Sequence, residues 1–192
     1  MTLQEILLEI QERYPHSLSN ESVIRKIDAL QKRIFRVYRK LVMTTFQTQL
    51  GQKWYDATHF GKEIRPVDVR DFLVDGVSYP YRDIEEEPLP FYYFYIDGKY
   101  GIVPIQPNNT PITIMHYKIP ATLTVSSLNA GVEIDEDFQN ILVYGVCKEI
   151  AEIYHDFDVA NGFAEQYNFF FDELLKLTKP VVPHTIKEEW WR

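Results

Sequence analysis

The chain has 192 residues, enough for one domain with a substantial core or for two small lobes. Its hydrophobic content of 45% excludes a disordered chain, and its net charge of −8 argues against a protein that coats nucleic acid. Cys147 is the single cysteine, so no disulfide forms within the chain. We expect no signal peptide and no membrane contact, since no apolar run approaches the roughly 18 residues that span a bilayer.

Helical patterns come first. Thr2 and Glu5 form a capping box before a short predicted helix that Pro15 ends. Ser19 or Asn20 caps a second helix, which is predicted to run to residue 41. Its apolar positions alternate four and three residues apart and form a narrow seam for packing on other helices. These positions are Val23, Ile27, Leu30, Ile34, Val37 and Leu41.

Basic side chains are concentrated on this second predicted helix, where the only acid between residues 25 and 40 is Asp28. At about 100° per residue they all fall on one face, opposite the apolar seam. Solvated faces usually mix both signs of charge, so this basic face predicts an acidic partner, with a plain solvated face as the alternative. The basic face comprises Arg25, Lys26, Lys32, Arg33, Arg36, Arg39 and Lys40.

The hydrophobic period changes to two after Val42, which is typical of β-strands. Asp75-Gly76 and Asp97-Gly98 each lie between two apolar runs, and this is a strong signal for a two-residue hairpin turn. A further strand is predicted over Ile112 to Ile119. Residues 42–120 are therefore predicted to form antiparallel strands.

Two more helices are predicted near the C-terminus. Residues 121–133 form a polar loop, and the carboxylates of Ile134-Asp135-Glu136-Asp137 predict the start of a third helix, at its positive dipole end. Asp158 is predicted to cap a fourth helix, which Pro180 and Pro183 end. The third helix is apolar on most sides, which predicts that it is buried.

The pattern as a whole predicts an α+β fold. We expect residues 1–41 and 134–178 to form a helical bundle core of four helices, residues 42–133 to form an inserted antiparallel β lobe with a loop, and residues 179–192 to form an extended C-terminal arm. Two tryptophans at the end of this arm are costly to leave in water, so they are expected either to dock on another protein or to fold back on their own domain. The predicted docking residues are Pro183, Ile186, Trp190, Trp191 and Arg192.

The sequence offers little for catalysis. The five histidines do not have metal-ligand spacing, and no phosphate-binding or nucleophile motif is present. Glu85-Glu86-Glu87 is interpreted as a solvated loop, and His155-Asp156-x-Asp158 as a corner between two helices. Cys147 is interpreted as a buried thiol. We therefore expect no enzyme, no cofactor and no metal.

The order of these elements resembles the head-to-tail adaptor (connector) proteins of tailed bacteriophages. The resemblance rests on a capped helix pair, a β segment with Asp-Gly turns over Thr44 to Ile119, and a Tyr-x-x-Pro exit at Tyr117-Lys118-Ile119-Pro120. It continues with the acidic start Ile134-Asp135-Glu136-Asp137-Phe138 and the aromatic helix pair Leu142 to Leu177. The long acidic stretch Asp56 to Pro90 departs from the layout of a minimal adaptor.

The resemblance implies a structural virion protein at the neck between head and tail, made in the host cytoplasm. It implies a homo-oligomeric ring, usually dodecameric, that contacts the portal protein and a downstream neck or tail protein while packaged DNA passes through its channel. In such a ring the expected acidic partner of the basic face is packaged DNA, the portal or an acidic patch on the neighbouring protomer. Two alternatives stay open. One is a ligand-binding module that grips glycan or peptide with Tyr92, Tyr93, Phe94 and Tyr95, and the other is an accessory enzyme of nucleic-acid processing that uses the basic face.

Overall fold

The computed structural model describes residues 1–59, 62–83 and 89–177. Over these ranges the chain forms four α-helices and nine short antiparallel strands, which confirms the α+β class. No helix in the described ranges is both long and apolar enough to cross a bilayer. The elements are α1 (Leu3–Arg13), α2 (Asn20–Tyr38), β1 (Leu41–Gln47), β2 (Trp54–Tyr55), β3 (Thr58–His59), β4 (Lys62–Glu63), β5 (Val69–Val74), β6 (Val77–Ser78), β7 (Tyr92–Ile96), β8 (Lys99–Val103), β9 (Pro111–Tyr117), α3 (Asn140–Ile153) and α4 (Phe157–Lys176).

The first two helices begin where the sequence predicts. The Thr2 hydroxyl accepts a hydrogen bond from the Glu5 amide at 3.2 Å, and the Glu5 carboxylate accepts one from the Thr2 amide at 2.7 Å. This reciprocal pair is the capping box. At the start of α2 the Ser19 hydroxyl accepts a hydrogen bond from the Ser22 amide at 3.3 Å. Both helix starts are therefore confirmed.

The predicted end of the second helix is wrong. Arg39 adopts a left-handed conformation with φ 48°, and its amide closes the helix on the Phe35 carbonyl at 3.1 Å. Leu41 already belongs to β1, because that strand pairs along its whole length with β9. Val37, which the predicted seam included, is 51% exposed. Strand pairing overrides the helical spacing of the last seam positions.

The strands form three antiparallel sheets. One has the order β1-β9-β5-β6, one has the order β2-β8-β7, and β3 pairs with β4. The Asp75-Gly76 turn joins β5 to β6, and the Asp97-Gly98 turn joins β7 to β8. All four turn residues have positive φ, between 47° and 80°, as a type I′ turn requires. Both predicted hairpins are confirmed.

The third helix begins later than predicted, and the fourth begins earlier. Residues Glu136–Phe138 form one 3₁₀ turn, and α3 begins only at Asn140. Asp135 binds the side chains of Tyr38 and Lys40 instead of starting a helix. α4 begins at Phe157, so Asp158 lies inside its first turn and does not cap it. Local sequence therefore predicts neither the contacts of Asp135 nor the position of Asp158 within its helix.

Buried side chains form two clusters. The helical core joins all four helices around α3, and the sheet core lies between the strands. Leu123 and Val132 come from the loop that the sequence assigned to the β lobe, yet they pack in the helical core. The amides of Leu3 and Gln4 also bind loop carbonyls at 3.0 Å. The domain boundary at residue 133 stays a prediction, and the packing places this loop on the helices.

Candidate functional site

The predicted basic face is largely neutralised in the folded chain. Lys26 and Arg33 both reach Glu149 of α3, with N–O distances of 3.7 Å and 2.8 Å. Arg25 pairs with Glu21 one helical turn away. The prediction counted only the acid on the same helix and therefore missed Glu149, which tertiary packing brings to this side of α2.

Two further members of the basic face have acidic partners at its other end. Lys32 pairs with Asp28, whose second oxygen accepts a hydrogen bond from the Leu123 amide at 3.0 Å. Lys40 pairs with Asp135 in the turn before α3. Because α2 ends at Tyr38, neither Arg39 nor Lys40 lies on the predicted helix face. Within the described ranges, Arg36 and Arg39 are the members without a carboxylate partner.

These two arginines line a groove that encloses about 530 Å³. One wall is the C-terminal half of α2, the second is the segment from β4 to the start of β5, and the third follows β9. Apolar and charged side chains alternate around the groove. Its lining is Lys32, Phe35, Arg36, Arg39, Lys62, Glu63, Arg65, Val67, Asp68, Tyr117, Lys118, Ile119 and Pro120. We call this surface the basic groove.

The basic groove concentrates positive charge on an acidic protein. Six of the 20 lysines and arginines of the chain line it, against only two of the 28 aspartates and glutamates. Arg65 pairs with Asp68 at 3.1 Å and Lys118 with Glu133 at 3.0 Å. The Lys62 ammonium donates a hydrogen bond to the Pro120 carbonyl at 2.8 Å. The excess charge makes the groove suited to an anion.

Burial and neighbouring charge act on Lys62. Partial burial lowers the pKa of its ammonium group, and the nearby Lys32 lowers this pKa further, while Asp28 and Glu133 act in the opposite direction. The two lysines approach each other from different walls, α2 and β4. An anion between them would relieve their repulsion, because opposite charge favours the protonated form.

Aromatic rings support the cations at the rim. The Arg39 guanidinium lies 5.3 Å from the centre of the Tyr117 ring, and the Lys118 ammonium lies 5.9 Å from the centre of the Phe35 ring. Such cation–π contacts hold a charge in place without neutralising it. Arg36 and Arg39 are both exposed, so their charges face solvent at the mouth of the groove.

Sequence reasoning missed the half of the groove that the strands provide. Lys62, Arg65 and Lys118 are far from α2 in sequence and belong to no charge pattern. Lys118 meets it because β1 follows α2 directly and pairs with β9 in a register that sets Leu41 opposite Tyr117, and Lys62 is joined to the same segment by its hydrogen bond to the Pro120 carbonyl. The cue available in the sequence was the Tyr-x-x-Pro exit, which contains Lys118.

The aromatic residues considered for ligand binding belong to the sheet core and its flank. Tyr93 is 6% exposed and stacks on Phe72, with ring centres 4.3 Å apart. Phe94 is 9% exposed and meets Trp54 edge-on at 5.3 Å. Tyr95 contacts Tyr100 at 5.1 Å. Rings that pack on each other in this way stabilise the sheet and leave no open aromatic platform around Tyr93 and Phe94.

Candidate metal ligands do not converge in the part of the chain that the structure describes. No group of three His, Cys, Asp or Glu side chains there is arranged to hold a metal ion. Cys147 is buried, and burial raises the pKa of its thiol to about 12. His116 is buried between strands, with its Nε2 2.9 Å from the Thr44 hydroxyl.

The predicted docking arm lies outside the described residues. This applies to Pro183, Ile186, Trp190, Trp191 and Arg192, so their roles stay predictions. The acidic run Glu85-Glu86-Glu87 also lies outside the described ranges.

Comparison with known proteins gives one family. The family model described as SU10 adaptor protein matches residues 1–184, which include every helix and strand given above. No curated protein matches the chain.

Proposed function

Because this chain belongs to the SU10 adaptor protein family, a family of phage head-to-tail adaptors, we propose that it forms a ring beneath the portal of the virion. In this proposal the ring is a dodecamer. It extends the DNA channel and offers a platform to the next neck or tail protein. The family match over residues 1–184 is the observation that carries the proposal.

The mechanism is assembly, in which binding free energy replaces catalysis. A closed ring repeats one protomer interface many times, so a modest contact becomes a stable assembly. The net charge of −8 suits a channel through which DNA must slide, since net repulsion keeps the duplex from adhering.

The C-terminal arm is proposed to attach the protomer to the portal. Prolines at positions 180 and 183 disfavour a continued helix, so in this proposal the arm follows an extended path. Trp190 and Trp191 are then the anchors, because buried aromatic side chains are frequent hot spots and each contributes about 2 kcal/mol or more when central. A portal ring offers many equivalent pockets, which multiplies the effect of each arm.

Electron microscopy of the purified chain, alone and mixed with portal rings, tests the adaptor proposal. We expect rings that stack on the portal with a shared axis. A chain that stays monomeric in both samples would contradict the proposal.

A truncation tests the arm separately. Deletion of residues 181–192 is expected to leave a folded protomer that no longer co-sediments stably with portal rings. The double substitution Trp190→Ala and Trp191→Ala should reproduce most of this loss, whereas the matched control Glu188→Gln and Glu189→Gln should retain attachment. Attachment of the truncated chain at wild-type strength would remove the arm from the mechanism and leave the ring untouched.

A further inference from the structure

The basic groove contains more cationic side chains than have carboxylate partners in the fold. Lys32, Arg65 and Lys118 have carboxylate partners, but Arg36, Arg39 and Lys62 have none among the described residues. Arg36 and Arg39 are exposed, and Lys62 is half-buried in the same groove. Three cations that converge without internal partners form a site for an external anion.

We propose that the basic groove binds an acidic peptide segment, and that the segment is Glu85-Glu86-Glu87 of a second copy of this chain. The inference rests on the ring proposed above and deepens it by naming a contact between neighbouring protomers. Carboxylates of the incoming segment would pair with Arg36, Arg39 and Lys62.

The lining of the groove favours a peptide over the backbone of a nucleic acid. Phe35, Ile119 and Pro120 lie between the cations, and Val67 at the rim is 75% exposed. Apolar side chains of a peptide can cover such surface, whereas a phosphate backbone offers only charge and sugar. The rest of the chain carries most of its carboxylates, so nucleic acid is repelled from the surroundings of the groove.

Ring symmetry requires two different complementary surfaces on each protomer. In a cyclic head-to-tail ring, one surface of each copy binds another surface of the next copy. A protein of net charge −8 must oppose its own repulsion at that contact, and a basic groove facing an acidic run does so.

The occupant is one of two runs of three consecutive acidic residues in the chain, and the other, Asp135-Glu136-Asp137, already has its first carboxylate paired with Lys40. Glu85, Glu86 and Glu87 are consecutive, with Ile84 before them and Pro88-Leu89 after them. The segment thus combines three carboxylates with flanking apolar side chains, which is the chemistry that the groove presents. Several acidic side chains near the groove already have cationic partners: Asp68 pairs with Arg65, Asp28 with Lys32 and Glu133 with Lys118.

Charge reversal with mixing tests both the contact and its partner. One variant carries Arg36→Glu and Arg39→Glu, and a second carries Glu85→Lys, Glu86→Lys and Glu87→Lys. Each alone sets like charges against each other, so we expect the protomer concentration needed for half-assembly to rise about tenfold or more. An equimolar mixture restores assembly, because the acidic groove of one variant then meets the lysines of the other. Sedimentation velocity measures the assembly, and circular dichroism verifies that each variant is folded.

Arg25→Glu is the matched control, since Arg25 is an exposed arginine of α2 outside the groove. It should assemble like the wild type. The milder pair Arg36→Gln and Arg39→Gln should give a smaller defect that shrinks at high salt, where screening weakens the wild-type contact as well.

The remaining outcomes separate the proposals. Rings with unchanged concentration dependence in both reversed variants would overturn the groove contact and leave the adaptor function standing. Restored assembly in a chain carrying all five substitutions, without restoration in the mixture, would place the contact within one chain and overturn the second copy as occupant. Loss of duplex DNA binding by the groove variant with normal assembly would assign the groove to nucleic acid instead. A monomeric wild type, alone and with portal, would contradict both proposals.

Discussion

The helical core consists mainly of aliphatic side chains, whereas the sheet core is built around the rings of Tyr55, Phe72, Tyr93 and Tyr100. In the helical core, α3 packs against the other helices, and its Ile150 side chain is fully buried. In the sheet core, Phe72 and Tyr93 stack with an interplanar angle of 13°. The helical core is therefore stabilised by close packing of aliphatic side chains, and the sheet core by contacts between oriented aromatic rings.

The two regions also differ in how they accommodate polar atoms. The Tyr100 hydroxyl is buried and donates to the Ile64 carbonyl at 2.6 Å. Burial raises the pKa of Tyr93 to about 12 and raises that of Tyr100 further. The sheet core therefore depends on hydrogen bonds and on neutral phenols as well as on apolar area. Different kinds of substitution should therefore destabilise the two regions.

The largest effect is expected in the helical core. Ile150→Ala should lower the free energy of unfolding by about 2–5 kcal/mol, because it leaves a cavity among packed helices. Ile153→Ala, at a position that is 48% exposed on the same helix, is the control and should cost far less. Chemical denaturation measures both. Phe171 is only half-buried on α4, so Phe171→Ala should lie between these two values. Equal costs for Ile150→Ala and Ile153→Ala would refute the assignment of the core.

A steric substitution should damage the sheet core next. A Cβ atom on Gly101 would lie 2.2 Å from Cζ of Phe94, whose ring covers this glycine. Gly101→Ala should therefore destabilise the protein by about 1–3 kcal/mol through overpacking. Gly131→Ala is the control, since nothing lies within 4 Å of its added Cβ. Thermal unfolding compares them, and the penalty of Gly101→Ala should shrink in a Phe94→Leu background. A penalty unaffected by that background would show that ring contact is not its cause.

A smaller effect should follow from removal of one hydroxyl. Tyr100→Phe keeps the ring and deletes the hydrogen bond to Ile64, so we expect a loss of about 1–2 kcal/mol. The same substitution at Tyr92, a half-buried residue whose hydroxyl makes no hydrogen bond in the described part of the chain, should be close to neutral. Denaturant midpoints measure the difference. If Tyr92→Phe costs as much as Tyr100→Phe, the buried hydrogen bond contributes nothing specific.

The smallest effect is expected at Asp135, which joins the end of α2 to the turn before α3. Partial burial alone would raise the pKa of its carboxyl, but hydrogen bonds from Lys40 and Tyr38 lower it below the ordinary 3.8. Its stabilisation is thus present above pH 3.8 and is lost as pH falls through the lower pKa of the folded state. Asp135→Asn should cost about 1 kcal/mol or less at neutral pH, because the pair is partly exposed.

Unfolding measured against pH tests this last expectation. The free energies of unfolding of the wild type and Asp135→Asn should converge in acid. Asp137→Asn, which replaces an exposed neighbouring carboxylate, is the control and should be as stable as the wild type. A difference between the wild type and Asp135→Asn that persists in acid would mean that the carboxylate charge is not responsible.

Much of the local structure could be predicted from the sequence. The capping box at Thr2 and the turns at Asp75-Gly76 and Asp97-Gly98 depend on a few adjacent residues, and all three form as predicted. The predicted end of the second helix and the predicted start of the third are wrong, because each is decided by a partner far along the chain. β9 draws Leu41 into a strand, and Lys40 and Tyr38 engage Asp135.

The basic face illustrates the same division for the candidate site. Its seven residues are evident in the sequence, and so is the scarcity of acids among them, since Asp28 is the only one between residues 25 and 40. The sequence does not show that Glu149 neutralises Lys26 and Arg33. Nor does it show that Lys62 and Arg65 complete a groove around Arg36.

By itself, the sequence determined the α+β class, the hairpin turns, the first helix starts and the likeness to phage adaptors, because each depends on short-range patterns and element order. Only the tertiary structure decided which cations keep their charge unpaired and where they meet. Electrostatic compensation acts through space over a few ångströms, and the residues involved, such as Arg33 and Glu149 at 2.8 Å, are separated by more than half of the chain.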